Sequence, residues 1–530
     1  AVHEFSQFMS HITKNKNRKS RSLMVLGTGS GVGKSLIVTG LLRIFSDMGF
    51  DAAPFKAQNM ALNCFITRDG GEIGRAQALQ AEAARVEAST DMNPILLKAT
   101  GDAGCQVIAD GRSIGNMTAR EYYAYGVEAW RIVTSAYQRL AGKHELIVME
   151  GAGSPSEINL MDKDIVNMRM AKHAGAPALL VGDIEKGGVF ASLYGTFLLQ
   201  GADSGLIRGF IINKFRGDMD ILTPGLHMLA EKTGMPCLGV LPYMKHSLSE
   251  EDSLSLSEAS RGFSPGGKAL RIVVVRNRFI SNFTDFEPLA LEPDVEVIYS
   301  LRPREIEGAD LVIIPGSKNT SRDLLFLRQS GVEASIKEAV KKSVPLIGMC
   351  GGFQMLGHAI KDPFGVESEF KEIKGMGLLD IETVLEDPKV TTQVEVIEAA
   401  QAEAGQVKDT EAGRAEKTKK VKITGYEVHM GRSTGDIGLF KLKRLATGEA
   451  VLDGSRKAGV WGTYIHGLFD NDAFRGRLLN GLRARAGLPE REKPVNYSAI
   501  KEEGINALAD AIRDNLDMRY IESLIKRCTE

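Results

Sequence analysis

A glycine-rich loop between a strand pattern and a helix pattern is the feature that most constrains how this chain folds. Residues 22–42 have the sequence SLMVLGTGSGVGKSLIVTGLL, an apolar run followed by alternating glycines and then a helical pattern. Glycines let backbone N–H groups turn inward around phosphate oxygens, and the N-terminus of the following helix adds positive potential. The segment therefore predicts a phosphate-binding loop (P-loop) in an α/β domain.

The loop supplies the predicted nucleotide-binding residues. We expect Lys34 to reach the β- and γ-phosphates of a nucleotide and Ser35 to ligate Mg²⁺. A strict P-loop has glycine where this chain has Thr28, so the loop is a variant. The predicted loop residues are Thr28, Gly29, Ser30, Gly31, Val32, Gly33, Lys34 and Ser35.

The variant loop resembles that of dethiobiotin synthetase, which also carries Thr at this place. That family uses ATP to phosphorylate a carboxyl-type oxygen, so the resemblance implies a carboxylate-activating ATPase. Asn213, in the segment IINKFRGD, resembles the asparagine with which that family contacts adenine.

Three charged residues follow other predicted strands of the same half. Glu150 ends the strand 146–149, where a carboxylate near the loop is placed to hold Mg²⁺. Lys56, in FKAQNMALN, is expected to neutralise phosphate or a substrate carboxylate, and Asp183, in VGDIEKGGVF, also points toward the cleft. Glu72, in DGGEIGRAQALQ, is a second metal candidate.

The chain is predicted to form two doubly wound α/β domains with mainly parallel sheets. Short β-branched runs alternate with helical patterns in both halves, which is typical of parallel strands joined by crossover helices. The predicted strands are residues 23–26, 53–56, 146–149, 178–181, 209–212 and 238–241, then 271–275, 295–299, 311–314 and 346–349, and the predicted helices of the first half include 36–48 and 75–87.

The domain boundaries follow from changes in composition. The predicted units are an N-terminal extension 1–21, an ATPase domain 22–245, a linker 246–268 rich in Ser, Gly and Glu, a second domain 269–490 with an insertion near 398–420, and a C-terminal helical segment 491–530.

A nucleophile turn opens a helix in the second domain. The segment VPLIGMCGGFQMLGHAI places Cys350 between Gly348 and Gly352, in the G-x-nucleophile-x-G form of an elbow between strand and helix. A helix N-terminus lowers the pKa of a thiol, and the N–H of Gly351 is placed to stabilise an oxyanion. His466 follows an apolar run, so it can reach the elbow across the sheet and act as the base.

Other residues compete for the supporting roles at this elbow. His429 in GYEVHMGRS and His358 are rival bases. The half resembles class I (triad) glutamine amidotransferases, which hydrolyse glutamine through a Cys–His pair and release ammonia. That resemblance puts Gly316 and Ser317, in ADLVIIPGSKNT, near the glutamine.

The resemblance fails at one position. Those amidotransferases usually carry Glu two residues after the histidine, where this chain has Leu468. Two alternatives stay open: a Cys–His dyad suffices, or another acid, such as Glu427, replaces the missing carboxylate.

Composition excludes several classes of protein. The 66 Lys+Arg balance 67 Asp+Glu, so a nucleic-acid partner is not expected. No apolar run approaches a membrane span or a signal peptide, so we expect no membrane partner and a cytoplasmic location. The five cysteines, Cys64, Cys105, Cys237, Cys350 and Cys528, show no Cys-x-x-Cys spacing and predict neither a disulfide framework nor a zinc site.

A carboxylate-activating ATPase followed by an ammonia generator predicts an amide synthase. The domain order resembles the cobyric and cobyrinic acid synthases of cobalamin biosynthesis, from about residue 24 to about residue 471. Within that family the chain most resembles the cobyric acid synthases. The segments that carry this resemblance are FKAQNMALN, GGEIGRAQALQA, MEGAGSPSEINL, GDIEKGGVFAS and NKFRGD.

The resemblance implies amidation of the b, d, e and g carboxylates of adenosylcobyrinic acid a,c-diamide. The expected partners are then a corrinoid carboxylic acid, ATP and glutamine, with Mg²⁺ as the metal and no tightly bound organic cofactor. Alternatives are the a,c-diamide synthase, a cell-wall amidating enzyme, which usually divides the two domains over two chains, and a partition-type ATPase switch, which would leave Cys350 unexplained. The oligomeric state is not predicted.

Overall fold

A computed structural model describes residues 20–100, 104–244, 270–399 and 423–527. Residues 1–19 of the predicted extension, the predicted linker 246–268, residues 400–420 of the predicted insertion and Cys528 lie outside the described residues.

The first half is built around one parallel sheet, as predicted. Its strands are β1 (Arg21–Gly27), β2 (Ala52–Phe55), β3 (Gln58–Met60), β4 (Cys64–Ile66), β5 (Glu72–Gly74), β6 (Ile95–Ala99), β7 (Gly104–Ala109), β8 (Arg112–Thr118), β9 (Leu146–Glu150), β10 (Ala178–Asp183), β11 (Ile207–Phe215) and β12 (Cys237–Pro242). Its helices are α1 (Lys34–Asp47), α2 (Arg75–Ala83), α3 (Ala119–Ala124), α4 (Gly126–Ala141), α5 (Met168–Ala174), α6 (Val189–Leu199) and α7 (Met219–Thr233).

The main sheet has the order β12-β11-β10-β1-β9-β2, and its neighbouring strands are all parallel. Alternate residues of each strand face opposite sides, because side chains in a strand alternate with period two. Leu23 and Val25 pack with helix α1, whereas Met24 and Leu26 belong to a second core with helices α4 to α7. Both faces of the sheet are covered, which is the doubly wound arrangement that the sequence predicts.

The second half repeats this architecture. Its strands are β13 (Leu270–Val275), β14 (Ile280–Ser281), β15 (Val295–Ser300), β16 (Leu311–Ile314), β17 (Gly316–Ser317), β18 (Leu346–Met349), β19 (Ala359–Lys361), β20 (Glu372–Lys374), β21 (Ile381–Val384), β22 (Val390–Ala399), β23 (Ile423–His429), β24 (Arg432–Gly435), β25 (Phe440–Arg444), β26 (Ala450–Asp453), β27 (Ser455–Lys457), β28 (Val460–Thr463) and β29 (Ile465–His466). Its helices are α8 (Glu287–Ala290), α9 (Pro303–Glu307), α10 (Thr320–Gln329), α11 (Val332–Lys341), α12 (Gly351–Leu356), α13 (Asp472–Ala486), α14 (Tyr497–Asn515) and α15 (Met518–Arg527).

The second main sheet has the order β15-β13-β16-β18-β28-β27, parallel except at β27. An antiparallel sheet, β26-β25-β22-β23-β29, lies beside it and carries His466 at the end of β29. The sequence does not predict this second sheet. Several of its pairings join segments far apart in the chain, such as Tyr426 with His466, and no local pattern reveals them.

Two further departures from the predicted elements have identifiable causes. Helix α2 ends at Ala83 rather than at 87, because Arg85 has φ 58°, a left-handed conformation that stops an α-helix. The segment after β2 forms a small sheet, β3-β6-β7-β8, that the alternation of strands and helices does not predict.

The C-terminal helices pack against the first half of the chain. Leu508 and Ile512 of α14 join the core formed by α1, where a Cβ on Gly40 would lie 2.3 Å from Cδ1 of Ile512. The buried Arg43 guanidinium of α1 pairs with Glu502. The chain therefore returns to its first domain after completing the second.

Candidate active sites

The P-loop lies between β1 and α1 and is held by Asn213. The Asn213 side-chain amide donates a hydrogen bond to the carbonyl of Val32 (2.8 Å). Gly33 has φ 104°, and a Cβ there would lie 2.1 Å from Nδ2 of Asn213. Only glycine fits this position, because a side chain would be both strained and in collision.

Lys34 lies across the loop. Its Nζ donates to the carbonyls of Gly29 (2.7 Å) and Gly153 (3.0 Å). On the opposite side, Lys214 donates to the carbonyl of Gly31 (2.8 Å) and to the carboxylate of Asp183 (2.9 Å). Asp183 therefore lies beside the loop, at the carboxyl end of β10.

Glu150 is the centre of a buried polar cluster next to Ser35. Its Oε1 accepts hydrogen bonds from Ser35 Oγ (2.8 Å) and from Lys56 Nζ (2.8 Å), while Gln80 donates to Oε2 (2.6 Å). Burial alone would raise the pKa of Glu150, but Lys56 and the hydrogen bonds from Gln80 and Ser35 lower it overall. The group is therefore a carboxylate at neutral pH.

This cluster has the donor set that suits Mg²⁺. A magnesium ion on a nucleotide takes one or two carboxylate or hydroxyl ligands from protein and fills its other positions with phosphate and water. Ser35 and Glu150 provide one of each. Among the described ranges no group of three or more His, Cys, Asp or Glu side chains could hold a metal ion by itself.

The structure does not bring Glu72 to this cluster. Its buried carboxylate pairs with Lys98 of the first half and with Lys389 of the second (2.6 Å). Burial would raise the pKa of Glu72, but Lys389 and then Lys98 hold it far below its ordinary value. The carboxylate thus joins the two halves of the chain.

Cys350 occupies a strained turn between β18 and α12. Its backbone has φ 49° and ψ −108°, an unfavourable conformation for a residue with a side chain. A Cβ on Gly352 would lie 2.0 Å from the carbonyl oxygen of Ile314, and one on Gly351 would lie 2.9 Å from the backbone N of Ser317. The flanking glycines are therefore required by close backbone approach.

The predicted oxyanion residues lie beside this turn. Gly316 and Ser317 form β17, paired with Ile280 and Ser281 of β14. A Cβ on Gly316 would lie 3.4 Å from Cε1 of His466. The backbone of Gly316, the backbone of Gly351 and the imidazole thus converge around the nucleophile.

His466 lies next to the cysteine and contacts a carboxylate. Its Nδ1 lies 2.6 Å from Oδ2 of Asp285, and the neighbouring Cys350 thiol donates a hydrogen bond to the carbonyl of Val428 (3.6 Å). The other oxygen of Asp285 accepts from the backbone N–H of Gly467 (3.0 Å). Burial would lower the pKa of His466, but Asp285, helped by the neighbouring Cys350 side chain, raises it to about 10.

Asp285, which no sequence pattern singled out, is the carboxylate that contacts His466. It lies 181 residues before His466 and reaches it only because the turn Phe283–Phe286 packs under β29. No local motif marks it. Glu427, the alternative acid, instead contacts His429 (3.4 Å) and Arg444 (2.7 Å).

The rival bases have other partners. The ring of His429 stacks on Tyr464 at 3.8 Å between centroids, and its Nδ1 lies 3.1 Å from the carbonyl of Gly431. His358 is exposed and lies 3.1 Å from Asp380.

Removing the Asp285 carboxylate should change how glutaminase activity depends on pH. We expect Asp285→Asn to lower kcat/KM on the order of a hundredfold, because the imidazole loses its orienting partner. The pKa of His466 should fall, since the group that raises it is gone. The imidazolium that protonates departing ammonia then loses its proton at a lower pH, so the high-pH limb of the activity profile shifts to lower pH.

Glu427→Gln is the matched control for this prediction. It removes a buried carboxylate next to another histidine and should leave the position of the high-pH limb unchanged. A shifted limb in Glu427→Gln together with an unshifted limb in Asp285→Asn would contradict the assignment.

Comparison with known proteins places these two sites in one family. A model of the CobQ/CobB/MinD/ParA nucleotide binding domain matches residues 23–255, and one of the CobB/CobQ-like glutamine amidotransferase domain matches residues 271–474. The curated cobyric acid synthase of Thermodesulfovibrio yellowstonii is 46% identical over 503 residues, which cover 95% of this chain and 99% of that protein.

The chain belongs to the cobyric acid synthase family. A second member, from Sorangium cellulosum, is 47% identical over 95% of this chain and 98% of its own length, and a third, from Syntrophobacter fumaroxidans, is 45% identical over 96% and 99%. As a member of the cobyric acid synthase family, the chain is an ATP-dependent ligase that uses glutamine for amidation in cobalamin biosynthesis. The fold agrees, with one α/β unit for each of the two matched domains.

No helix in the described part of the chain is both long and apolar enough to cross a membrane.

Proposed function

We propose that this chain amidates the b, d, e and g carboxylates of adenosylcobyrinic acid a,c-diamide at a site formed by the P-loop and Glu150. The observation that carries the proposal is the presence in one chain of two complete constellations. One is the loop with Ser35 and Glu150 in contact, and the other is the His466–Asp285 pair next to Cys350.

The second constellation generates ammonia. The Cys350 sulfur attacks the side-chain carbonyl of glutamine, and the backbone N–H groups near Gly351 and Gly316 stabilise the resulting oxyanion. His466, held by Asp285, gives its proton to the departing ammonia and then activates the water that hydrolyses the thioester. The products are glutamate and ammonia, with the cysteine restored.

The first constellation activates the carboxylate. A corrinoid carboxylate oxygen attacks the γ-phosphorus of ATP, the bond from that phosphorus to the β–γ bridging oxygen breaks, and an acyl phosphate and ADP result. The Lys34 ammonium neutralises charge on the transferring phosphoryl group. Ammonia then attacks the acyl phosphate, an amide bond forms, and phosphate leaves. Mg²⁺ bound at Ser35 and Glu150 would supply Lewis-acid neutralisation of the phosphate charge. Lys56 keeps the Glu150 carboxylate ionised, and Asn213 holds the loop in shape.

We assign residues 22–245 to the ATPase domain and 269–490 to the glutaminase domain. The separate parallel sheets support this division, although helix α14 of the C-terminal segment packs on the first of them.

Product analysis tests the proposed substrate. The protein is incubated with ATP, Mg²⁺, glutamine and the a,c-diamide, and mass spectrometry counts the amides added; we expect four. A parallel incubation with cobyrinic acid tests the alternative. Two amides formed there, with none added to the a,c-diamide, would identify an a,c-diamide synthase instead.

The two predicted metal ligands can be tested against each other. Glu150→Gln should raise the Mg²⁺ concentration needed for ammonia-dependent amidation about tenfold or more, because an amide is a weaker magnesium ligand than a carboxylate. Glu72→Gln should leave that concentration unchanged and lower thermal stability, since two buried lysines lose their partner. If only Glu72→Gln changed the Mg²⁺ requirement, Glu72 rather than Glu150 would be the metal ligand.

A further inference from the structure

Two buried side chains touch the imidazole of His466 in addition to Asp285. Asn282 follows β14, and its Nδ2 lies 3.4 Å from Nε2 of His466. Tyr426 lies on β23, and its ring stacks on the imidazole at 5.3 Å between ring centroids. Both side chains are buried, and the mechanism described above gives neither of them a role.

Both side chains are bonded to the backbone of one residue in the first half of the chain. The N–H of Cys64 donates to Oδ1 of Asn282 (3.0 Å), and the hydroxyl of Tyr426 donates to the carbonyl of Cys64 (3.2 Å). Burial raises the pKa of Tyr426 well above its ordinary value, so the hydroxyl keeps the proton that it donates. A single peptide unit of the first half therefore holds two neighbours of the imidazole.

The position of Cys64 in β4 leaves its backbone groups available for these bonds. Cys64 lies opposite Gly74 of β5 in a two-stranded antiparallel sheet. In an antiparallel pair every second residue turns both its N–H and its C=O away from the partner strand. Those of Cys64 bond to the second half instead.

The segment that carries Cys64 is docked firmly on the second half. Cys64 and Ile66 pack with Tyr426 and Val428 in one buried apolar cluster. The bond from Cys64 to Asn282 also has a counterpart in the other direction, because Oδ1 of Asn63 accepts from the backbone N–H of Phe283 (3.0 Å). The geometry at Cys64 is therefore fixed by contacts on both sides of it.

The N–H of Cys64 decides which end of the Asn282 amide faces the imidazole. An amide side chain has an oxygen that accepts hydrogen bonds and a nitrogen that donates them. A backbone N–H can donate but not accept, so the oxygen faces Cys64 and the nitrogen faces Nε2 of His466. The Cys64 thiol lies 3.4 Å from the same oxygen and favours the same orientation. Asn282 thus presents a donor to Nε2.

This orientation matters for the proton that His466 transfers. A base that serves a thiol nucleophile takes the thiol proton and later gives it to the leaving group. The amide nitrogen of Asn282 cannot accept that proton, whereas an oxygen in the same place would hold it and draw it away from Cys350. The 3.4 Å contact is long for a hydrogen bond, so giving it up costs little when Nε2 receives the proton.

We propose that Asn282 and Tyr426 are positioning residues of the glutaminase reaction, both oriented by the backbone of Cys64. In this arrangement the Nε2 proton of His466 passes between the Cys350 sulfur and the departing ammonia. Tyr426 fixes the plane of the ring, and Asn282 keeps a competing acceptor away from Nε2. The proposal rests on the roles that the proposed function gives to Cys350 and His466.

Two substitutions of Asn282 separate its effect on the proton from its effect on the interface. Asn282→Asp keeps an oxygen for the Cys64 N–H but places a second oxygen against Nε2. Asn282→Gly removes both polar groups, and glycine suits the left-handed backbone at this position (φ 52°). We expect kcat for glutamine hydrolysis to fall on the order of a hundredfold in Asn282→Asp and about tenfold or less in Asn282→Gly.

KM for glutamine should stay within about twofold of the parent value in both variants, because the glutamine-binding backbone near Gly316 and Gly351 is unchanged. If Asn282 served to join the two halves and nothing more, Asn282→Asp would be the more active variant, since it keeps the bond to Cys64. That order of activities would overturn the proposal.

Tyr426→Phe tests the other bond to Cys64. It keeps the stacked ring and removes the hydroxyl, so we expect kcat to fall severalfold with KM unchanged. Gln393→Leu is the matched control, because it removes an amide that bonds across the same interface, to the carbonyl of Ile66 (2.9 Å). Its kcat should equal that of the parent. An equal loss in both variants would show that loosening the interface is what matters, and parent-like kcat in Tyr426→Phe would overturn the role of Cys64.

Two further measurements separate this proposal from the proposed function. Ammonia-dependent amidation should stay within about twofold of the parent in every variant, and its loss in both Asn282 variants would show that this contact supports the whole interface, which overturns the proposal. Full glutaminase activity in His466→Ala would contradict the role given to His466. An inactive His466→Ala protein beside parent-like kcat in Asn282→Asp would overturn the positioning role and leave the proposed function standing.

Discussion

Replacing Cys350 with alanine should abolish amidation from glutamine and leave amidation from added ammonia intact. In the proposed mechanism the thiol attacks glutamine, and no other nucleophile lies in the elbow between Gly348 and Gly352. We expect glutaminase activity to fall by at least about a thousandfold, which corresponds to about 4 kcal/mol of lost transition-state stabilisation. Ammonia-dependent amidation should persist, because the P-loop and Glu150 belong to the other sheet.

The measurement is amide formation with glutamine and, separately, with an ammonium salt. Cys237→Ala is the control, because this half-buried cysteine lies on the edge strand β12, and both activities should be retained. A folded Cys350→Ala protein that lost both activities would contradict the division of labour between the sites.

His466→Ala should resemble Cys350→Ala, and full glutaminase activity in that variant would transfer the base role to His429 or His358.

Replacing Lys34 with alanine should abolish amidation from either nitrogen source while glutamine hydrolysis survives. ATP should still bind in part, because the backbone N–H groups of the loop and the N-terminus of α1 still contact phosphate. Phosphoryl transfer should suffer far more, since negative charge moves onto the bridging oxygen that the ammonium faces. Preorganised groups of this kind contribute roughly 3 to 4 kcal/mol, on the order of a hundred- to a thousandfold in rate. Amidation should fail with glutamine and with ammonia.

Glutamine hydrolysis should survive in the Lys34→Ala protein, at least in residual form, because the triad does not touch the loop. Lys172→Ala is the control, since that exposed lysine pairs only with Asp203 at the surface and its loss should change neither activity. Near-normal ammonia-dependent amidation by Lys34→Ala would show that the loop is not the activating site, and the acyl-phosphate mechanism would have to be abandoned.

Features that depend on neighbouring residues could be predicted from the sequence. The β-branched runs predict the six strands of the first parallel sheet to within a few residues, because a strand buried on both faces is apolar at consecutive positions. The spacing of Gly33, Lys34 and Ser35 predicts the loop, and Cys350 between two glycines predicts the elbow, since each geometry is formed by a few consecutive residues.

Features that depend on distant segments were decided by the tertiary structure. Asp285 becomes the partner of His466 only when a turn of one sheet packs under a strand of another. Glu72 has a carboxylate suited to a metal, but the fold brings two lysines to it from different domains. The sequence by itself determined the P-loop, the cysteine elbow and the class of fold, because hydrophobic periodicity and glycine spacing shape the backbone over a few consecutive residues. Three features required the whole chain: the contact of Asp285 with His466, the packing of α14 on the first domain, and the hydrogen bonds that Asn63 and Asn282 each accept from a backbone N–H of the other half. Side chains far apart in sequence meet in this way only after the sheets have packed.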